Sequence, residues 1–186
     1  MLINRITNPT LRNFVKGLVE GIILILLAVV VFFVLRNFIF RNASVTGNSM
    51  APTLNHGDVV VLNRLSYNFI SPRAGDIVAF PYQGDPSEVY IKRVVGVPGD
   101  IIDLQNGQFL INDLPMEDAF AQEHVFATGD VIFPITVGDG HFFVLGDNRN
   151  VSKDSRFASV GTVPERDVIG KVLVRFWPIG AFGRVD

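Results

Sequence analysis

The sequence predicts a mainly β chain: an antiparallel β sandwich or distorted barrel, preceded by one apolar helix. Three observations carry that expectation. Residues 21–35, GIILILLAVVVFFVL, hold no polar side chain. Gly-Asp pairs recur downstream, and most are followed by short β-branched runs. No segment after residue 42 repeats its apolar residues at a helical period.

The helix comes first. Leu18 and Val19 extend the apolar run backward past Glu20, and Phe38, Ile39 and Phe40 extend it forward past Arg36 and Asn37. A helix over 18–40 would rise roughly 34 Å, enough for a hydrocarbon core of about 30 Å. Glu20 and Arg36 would then lie near the two interfaces, where long side chains reach water. A cleavable signal peptide needs small residues before its cut. Around Ala43, Arg41 or Asn42 stands where a small residue is required. The segment therefore reads as an uncleaved anchor. A buried soluble helix fits less well, because every face is apolar.

Charge divides the chain at the same place. Residues 1–42 carry five Lys and Arg against one acid, and residues 43–186 carry 11 against 17. Three of the basic residues precede the span and two follow it. The excess of positive charge before the span places the N-terminus in the cytoplasm. The expected organisation is a cytoplasmic segment at 1–17, a transmembrane anchor at 18–40 and an extracytoplasmic β domain at 43–186. An acidic domain argues against nucleic acid as a partner. The chain has no cysteine and only three scattered histidines, so no metal site or cofactor is expected.

The strands follow in order. Gly57-Asp58, Gly75-Asp76, Gly99-Asp100 and Gly129-Asp130 precede VVVL, IVAF, IIDL and VIF, each read as a turn entering a strand. Asn106-Gly107 lies between alternating apolar positions and predicts a two-residue hairpin turn. YIKRVV at 90–95, HFFVLG at 141–146 and VIGKVLVRF at 168–176 add three more strands. Residues 115–130 read as a long loop or insertion.

Three stretches carry possible chemistry. Lys92 and Arg93 stand together in a β-branched strand. Neighbours on a strand point to opposite faces, so Tyr90, Lys92 and Val94 share one side. Arg93 needs water or an acid at its tip; if it faces water, Lys92 faces inward and its pKa falls. The opposite assignment leaves Lys92 solvated. Ser49 lies in VTGNSMAPTL, where Gly47 and Pro52 force a bend. A serine in such a turn suits a nucleophile, with its own N–H available to a developing oxyanion. It also suits a plain turn. GDNRNVSKDSR at 146–156 reads either as an exposed loop or as a self-bonded shape.

Together the three stretches resemble the bacterial type I signal peptidases, membrane-bound serine proteases with a Ser–Lys dyad. Ser49-Met50-Ala51-Pro52-Thr53-Leu54 is similar to the pattern around their nucleophile. YIKRVVGVPGD at 90–100 is similar to the strand that carries their base, and 146–156 to their C-terminal signature. The resemblance implies that Ser49 attacks the scissile carbonyl and Lys92 takes its proton. It implies that Ser152 bonds and orients the lysine, that Asp154 and Arg156 brace the site, and that Asp147 and Arg149 are structural. Val45, Met50, Leu54, Tyr90 and Ile91 match positions lining the small pocket before the cut. The implied reaction removes signal peptides after Ala-x-Ala from secretory precursors at the outer face of the cytoplasmic membrane, in company with the export machinery. Some members have a hydroxyl two residues before the nucleophile; here Gly47 stands there and leaves the second oxyanion donor open. The chain has one expected span where some relatives have two.

The chemistry is consistent with those roles. A lysine at its ordinary pKa is neutral in about one molecule in a thousand near pH 7.4. Burial among Tyr90 and Val94 would lower it by the few units required. Arg93 cannot serve as base, and Lys153 and Lys171 have more polar surroundings. Among the phenylalanines, Phe120, Phe126 and Phe133 are candidates for lipid contact, against the alternative that they fill the β core. The rival readings are a hydrolase based on His56, His124 or His141, a self-cleaving repressor with the same dyad, another Ser–Lys processing protease, and a non-enzymatic anchored β domain. A repressor would carry a DNA-binding helix-turn-helix in place of the span.

Overall fold

The structure, a computed structural model, describes residues 8–117 and 125–185. Phe120 and His124 lie outside the described residues. The chain divides into two compact units, Met1–Phe40 and Arg41–Asp186.

The first unit is helix α1, Pro9–Ile39. It begins nine residues before the expected span, and its start has a local cause. The Asn8 side chain accepts from the N–H groups of Thr10 and Leu11, at 3.0 and 3.4 Å. Pro9 at the first helical position has no N–H to satisfy and is already set at a helical φ. Within α1, Pro9–Arg36 is long and apolar enough to cross a membrane, and none of it is buried in the protein.

Among its described residues the second unit is built of strands, with only short 3-10 turns between them. Its strands are β1 (Phe40–Ser44), β2 (Val59–Asn63), β3 (Ile77–Tyr82), β4 (Asp85–Gly96), β5 (Ile101–Gln105), β6 (Gln108–Ile111), β7 (Leu114–Pro115), β8 (Ile135–Thr136), β9 (His141–Leu145), β10 (Val163–Pro164), β11 (Gly170–Trp177) and β12 (Gly183–Arg184). The larger sheet runs β1-β2-β11-β3-β4-β9-β10, with β12 on β11; the smaller runs β7-β6-β5-β8. All the registers resolved are antiparallel. The fold is thus mainly antiparallel β with one N-terminal apolar helix.

The Asn106-Gly107 turn joins β5 to β6, with φ of 51° and 74° at the two residues. Both are left-handed, as a two-residue hairpin turn requires. The expected strand at Val131–Phe133 does not form. The N–H groups of Asp130 and Val131 both bond to the Arg156 carbonyl, at 3.0 and 3.1 Å. Phe133 instead packs edge-on against Phe109 and Phe143. Phe133 is therefore half-buried against the core, whereas Phe126 is 75% exposed.

β4 organises the domain. Its register against β3 pairs Lys92 with Val78 and Arg93 with Ile77. Both faces of the strand are covered. Ile91 joins Val45, Met50, Leu54 and Ala79 in one apolar cluster, while Val94 joins Val78, Phe80 and Val144 in another, with Tyr90 packed beside it. Lys92 and Arg93 are consequently both buried, at 4% and 3% exposure. Of the two partners open to Arg93, water or an acid, the structure supplies the acid, Asp147.

Candidate active site

Three segments converge on Lys92: the turn carrying Ser49, strand β4 itself, and the loop 146–156 that follows β9. The Lys92 ammonium donates to Ser49 Oγ at 2.8 Å and to the Ile91 carbonyl at 3.0 Å. It also sits 5.0 Å from the centre of the Tyr90 ring. Burial pushes its pKa down to about 8; Asp154 and Asp147 oppose that fall and Arg156 assists it. Burial dominates because removing an ammonium from water disfavours its charged form.

The Ser49 turn is fixed from both sides. Val45 N–H bonds to the Asp58 carbonyl and Gly57 N–H to the Val45 carbonyl, at 2.8 and 2.9 Å. Gly47 has φ of +83°, a conformation that favours glycine, and its N–H donates to His56 Nδ1 at 3.1 Å. The Gly47 N–H is thus already engaged. The Ser49 N–H makes no hydrogen bond among the described residues. On the far side, the Asn148 N–H donates to the Ser49 carbonyl at 3.0 Å.

Asp147 couples the turn to the strand. Its carboxylate accepts two bonds from Arg93, at 2.9 and 2.8 Å, and a third from the Thr53 hydroxyl. Arg93 also donates to the Gly75 carbonyl at 2.8 Å. The paired forks hold a buried charge that would otherwise be costly. Thr53 lies four residues after Ser49 and Arg93 one after Lys92, so one carboxylate helps set the spacing of the pair. Neither the Arg93–Asp147 bond nor the role of Thr53 was drawn from the sequence. The signal was available: a buried Arg requires an acid, and Asp147 is fixed in the 146–156 pattern.

The loop 146–156 is a self-bonded shape, not an exposed loop. Arg156 is fully buried. It bonds Asp154 twice, at 2.7 and 2.8 Å, and donates to the carbonyls of Arg149, Ser152 and Ala127. Asp154 accepts from the Gly146 N–H at 3.0 Å. Arg149 donates to the Gly146 carbonyl and lies over the Phe109 ring. The bond expected between Ser152 and Lys92 is absent. Lys92 is directed to Ser49 and Ile91, while Ser152 Oγ is buried without a hydrogen-bond partner. Gly146 permits this packing: a Cβ there would come within 2.2 Å of Ser152 Oγ and 2.4 Å of the Ser49 carbonyl oxygen.

A cleft of about 250 Å³ opens onto the pair, lined by Val45, Met50, Tyr90 and Ile91 together with Ser49 and Lys92. Leu54, expected beside them, is fully buried behind the cleft. A neighbouring groove of about 460 Å³ runs between residues 41–46 and 87–90. No histidine among the described residues bonds Ser49. His56 is engaged with Gly47, and His141 with the Asp139 carbonyl. The described residues hold no cluster of metal-ligating side chains.

The family model for signal peptidase, peptidase S26, matches residues 18–177. The chain belongs to this family. It is an enzyme, a serine peptidase of the class that removes signal peptides. A signal peptidase I of Leptolyngbya laminosa is 39% identical to it over 90% of this chain and 84% of its own. A probable signal peptidase I-1 of Synechocystis sp. is 34% identical over 95% and 90%. Signal peptidase IB of Staphylococcus aureus is 34% identical over 90% and 93%. The side-chain group within hydrogen-bond reach of the Ser49 hydroxyl is Lys92 Nζ.

Proposed function

We propose that Ser49 is the nucleophile and Lys92 the general base of a membrane-anchored endopeptidase, which cuts secretory precursors after small-x-small sites. The 2.8 Å contact between Lys92 Nζ and Ser49 Oγ, inside a buried setting, carries this reading. The ammonium donates in that contact; the neutral amine accepts instead. Ser49 Oγ then attacks the scissile carbonyl as its proton passes to Lys92. The tetrahedral oxyanion takes a bond from the Ser49 N–H. Lys92 returns the proton to the leaving amine, giving an acyl-enzyme. Water, deprotonated by Lys92, releases the signal peptide and restores Ser49.

Substrate shape follows from the cleft. Val45, Met50 and Ile91 leave room for small side chains next to Ser49. β1 lies at the end of the larger sheet, and from Ser87 to Lys92 the second edge of β4 has no strand partner among the described residues. A peptide added along these edges would gain backbone hydrogen bonds. Asp147, Asp154, Arg156 and Arg149 hold the segments that carry the pair in place. α1 anchors the enzyme, with its N-terminus in the cytoplasm and the β domain on the outer face, where secretory precursors emerge from the export machinery. A purified full-length sample in detergent tests this with a precursor carrying Ala-x-Ala. Mass spectrometry should place the cut after the second Ala, and Leu at that position should block it. A cut elsewhere, or an unchanged rate with Leu, would refute the pocket.

A further inference from the structure

Lys153 stands at a variable position of the 146–156 pattern and takes no part in the dyad. It nevertheless lines the catalytic cleft with Ser49, Lys92 and Tyr90. Its ammonium donates to the Tyr82 hydroxyl at 2.8 Å and lies 4.7 Å from the centre of that ring. The Tyr82 ring stacks on Tyr90, with centroids 4.7 Å apart and planes within 2°. An exposed lysine ordinarily samples many rotamers. This one is held at the cleft by an aromatic pair that favours cations. Its bond to Tyr82 raises its pKa, so it stays charged wherever the enzyme works. Glu88, on the same face of β4 as Tyr90, is the nearby acid acting on Lys153.

The strand geometry says which substrate side chain would meet it. Alternate residues of an extended peptide point to opposite sides. Val45, Met50 and Ile91 belong to one core cluster, whereas Tyr90 and Tyr82 pack against the other. Small residues seated against Val45, Met50 and Ile91 turn the residue between them toward Tyr90, Tyr82 and Lys153. We propose that Lys153, held on Tyr82 beside Tyr90, forms a subsite for the middle residue of the small-x-small site and favours a carboxylate there. This rests on the reading that cleavage follows such sites.

The test uses full-length enzyme in detergent and precursors that differ only at x: Ala-Glu-Ala, Ala-Gln-Ala and Ala-Lys-Ala. They compete in one tube, so the ratios of kcat/KM do not depend on the fraction of active enzyme. Wild type should prefer Glu over Lys by about two- to five-fold at low salt, within the range of an exposed ion pair. The preference should shrink at high salt. Lys153→Glu should invert it, Lys153→Met should flatten it, and Glu88→Gln should enlarge it. A ratio that Lys153→Glu and Lys153→Met leave unchanged would overturn the subsite. Failure of wild type to cut any of the three would instead remove the small-x-small reading on which the subsite rests.

Discussion

Lys92→Met should make the protein more stable, and the gain should depend on pH in a fixed way. The Lys92 pKa falls from 10.5 to about 8 in the folded protein. Below about pH 8 both folded and unfolded chains hold the proton, and the fold bears the whole cost of a buried ammonium. At about 1.4 kcal/mol per pKa unit, that cost is about 3 kcal/mol. Between pH 8 and 10.5 the unfolded chain binds more proton than the folded one, so stability rises with pH. Above 10.5 both are neutral and the cost has gone. Asp147 and Asp154 oppose the fall in the Lys92 pKa but do not outweigh burial. The assay is urea unfolding of full-length protein in micelles, followed by Trp177, the single tryptophan. The stability of the Lys92→Met variant minus that of wild type should fall by about 3 kcal/mol from pH 7 to pH 10.5. A constant difference would show that burial does not depress this lysine, and the base assignment would lose its physical support.

Other outcomes follow from the same geometry. Gly146→Ala should lower kcat by about a hundred-fold or more, because its Cβ meets Ser152 Oγ and the Ser49 carbonyl at 2.2 and 2.4 Å; single-turnover cleavage would detect it. Asp147→Asn should cost about 3–5 kcal/mol of stability in urea unfolding, since it removes the negative charge that faces the buried Arg93 guanidinium. Thr53→Val removes one hydrogen bond to that carboxylate and should cost about 1–3 kcal/mol. Its effect on kcat should exceed its effect on KM, because it loosens the nucleophile turn and not the cleft.

Much of the fold was legible where local chemistry decides the backbone. Asn106-Gly107 placed its hairpin because both residues accept left-handed φ at little cost. The alternation in YIKRVV correctly put Lys92 with Tyr90 and Val94. What alternation could not give was that both faces are buried, since that depends on β3, β9 and the turns folding over the strand from distant parts of the chain. Water or an acid was therefore left open for Arg93, and its partner is Asp147. The strand expected at Val131–Phe133 failed for a similar reason: its β-branched composition was overridden by the Arg156 carbonyl, which captures the N–H groups of Val131 and of Asp130 just before it. At the site, the approach of Lys92 to Ser49 was expected from three spaced motifs, and the two side chains lie 2.8 Å apart. The Arg156 hub was legible as a pattern but not as a shape, because its bonds go to backbone carbonyls, which sequence does not mark. The start of α1 was missed although Asn8-Pro9 is a readable helix entry. The apolar run was measured, and its cap was not.

The central claim is that Ser49 and Lys92 act as one unit. Its most direct test is cleavage of an Ala-x-Ala precursor across pH 6 to 10 by wild type, Ser49→Ala, Lys92→Ala and Lys92→Arg. Wild type should show kcat/KM rising ten-fold per pH unit to a break near the Lys92 pKa of about 8, with all three variants inactive throughout. Near-normal cleavage by Lys92→Ala, with Ser49→Ala inactive, would contradict the account and assign the proton to another group.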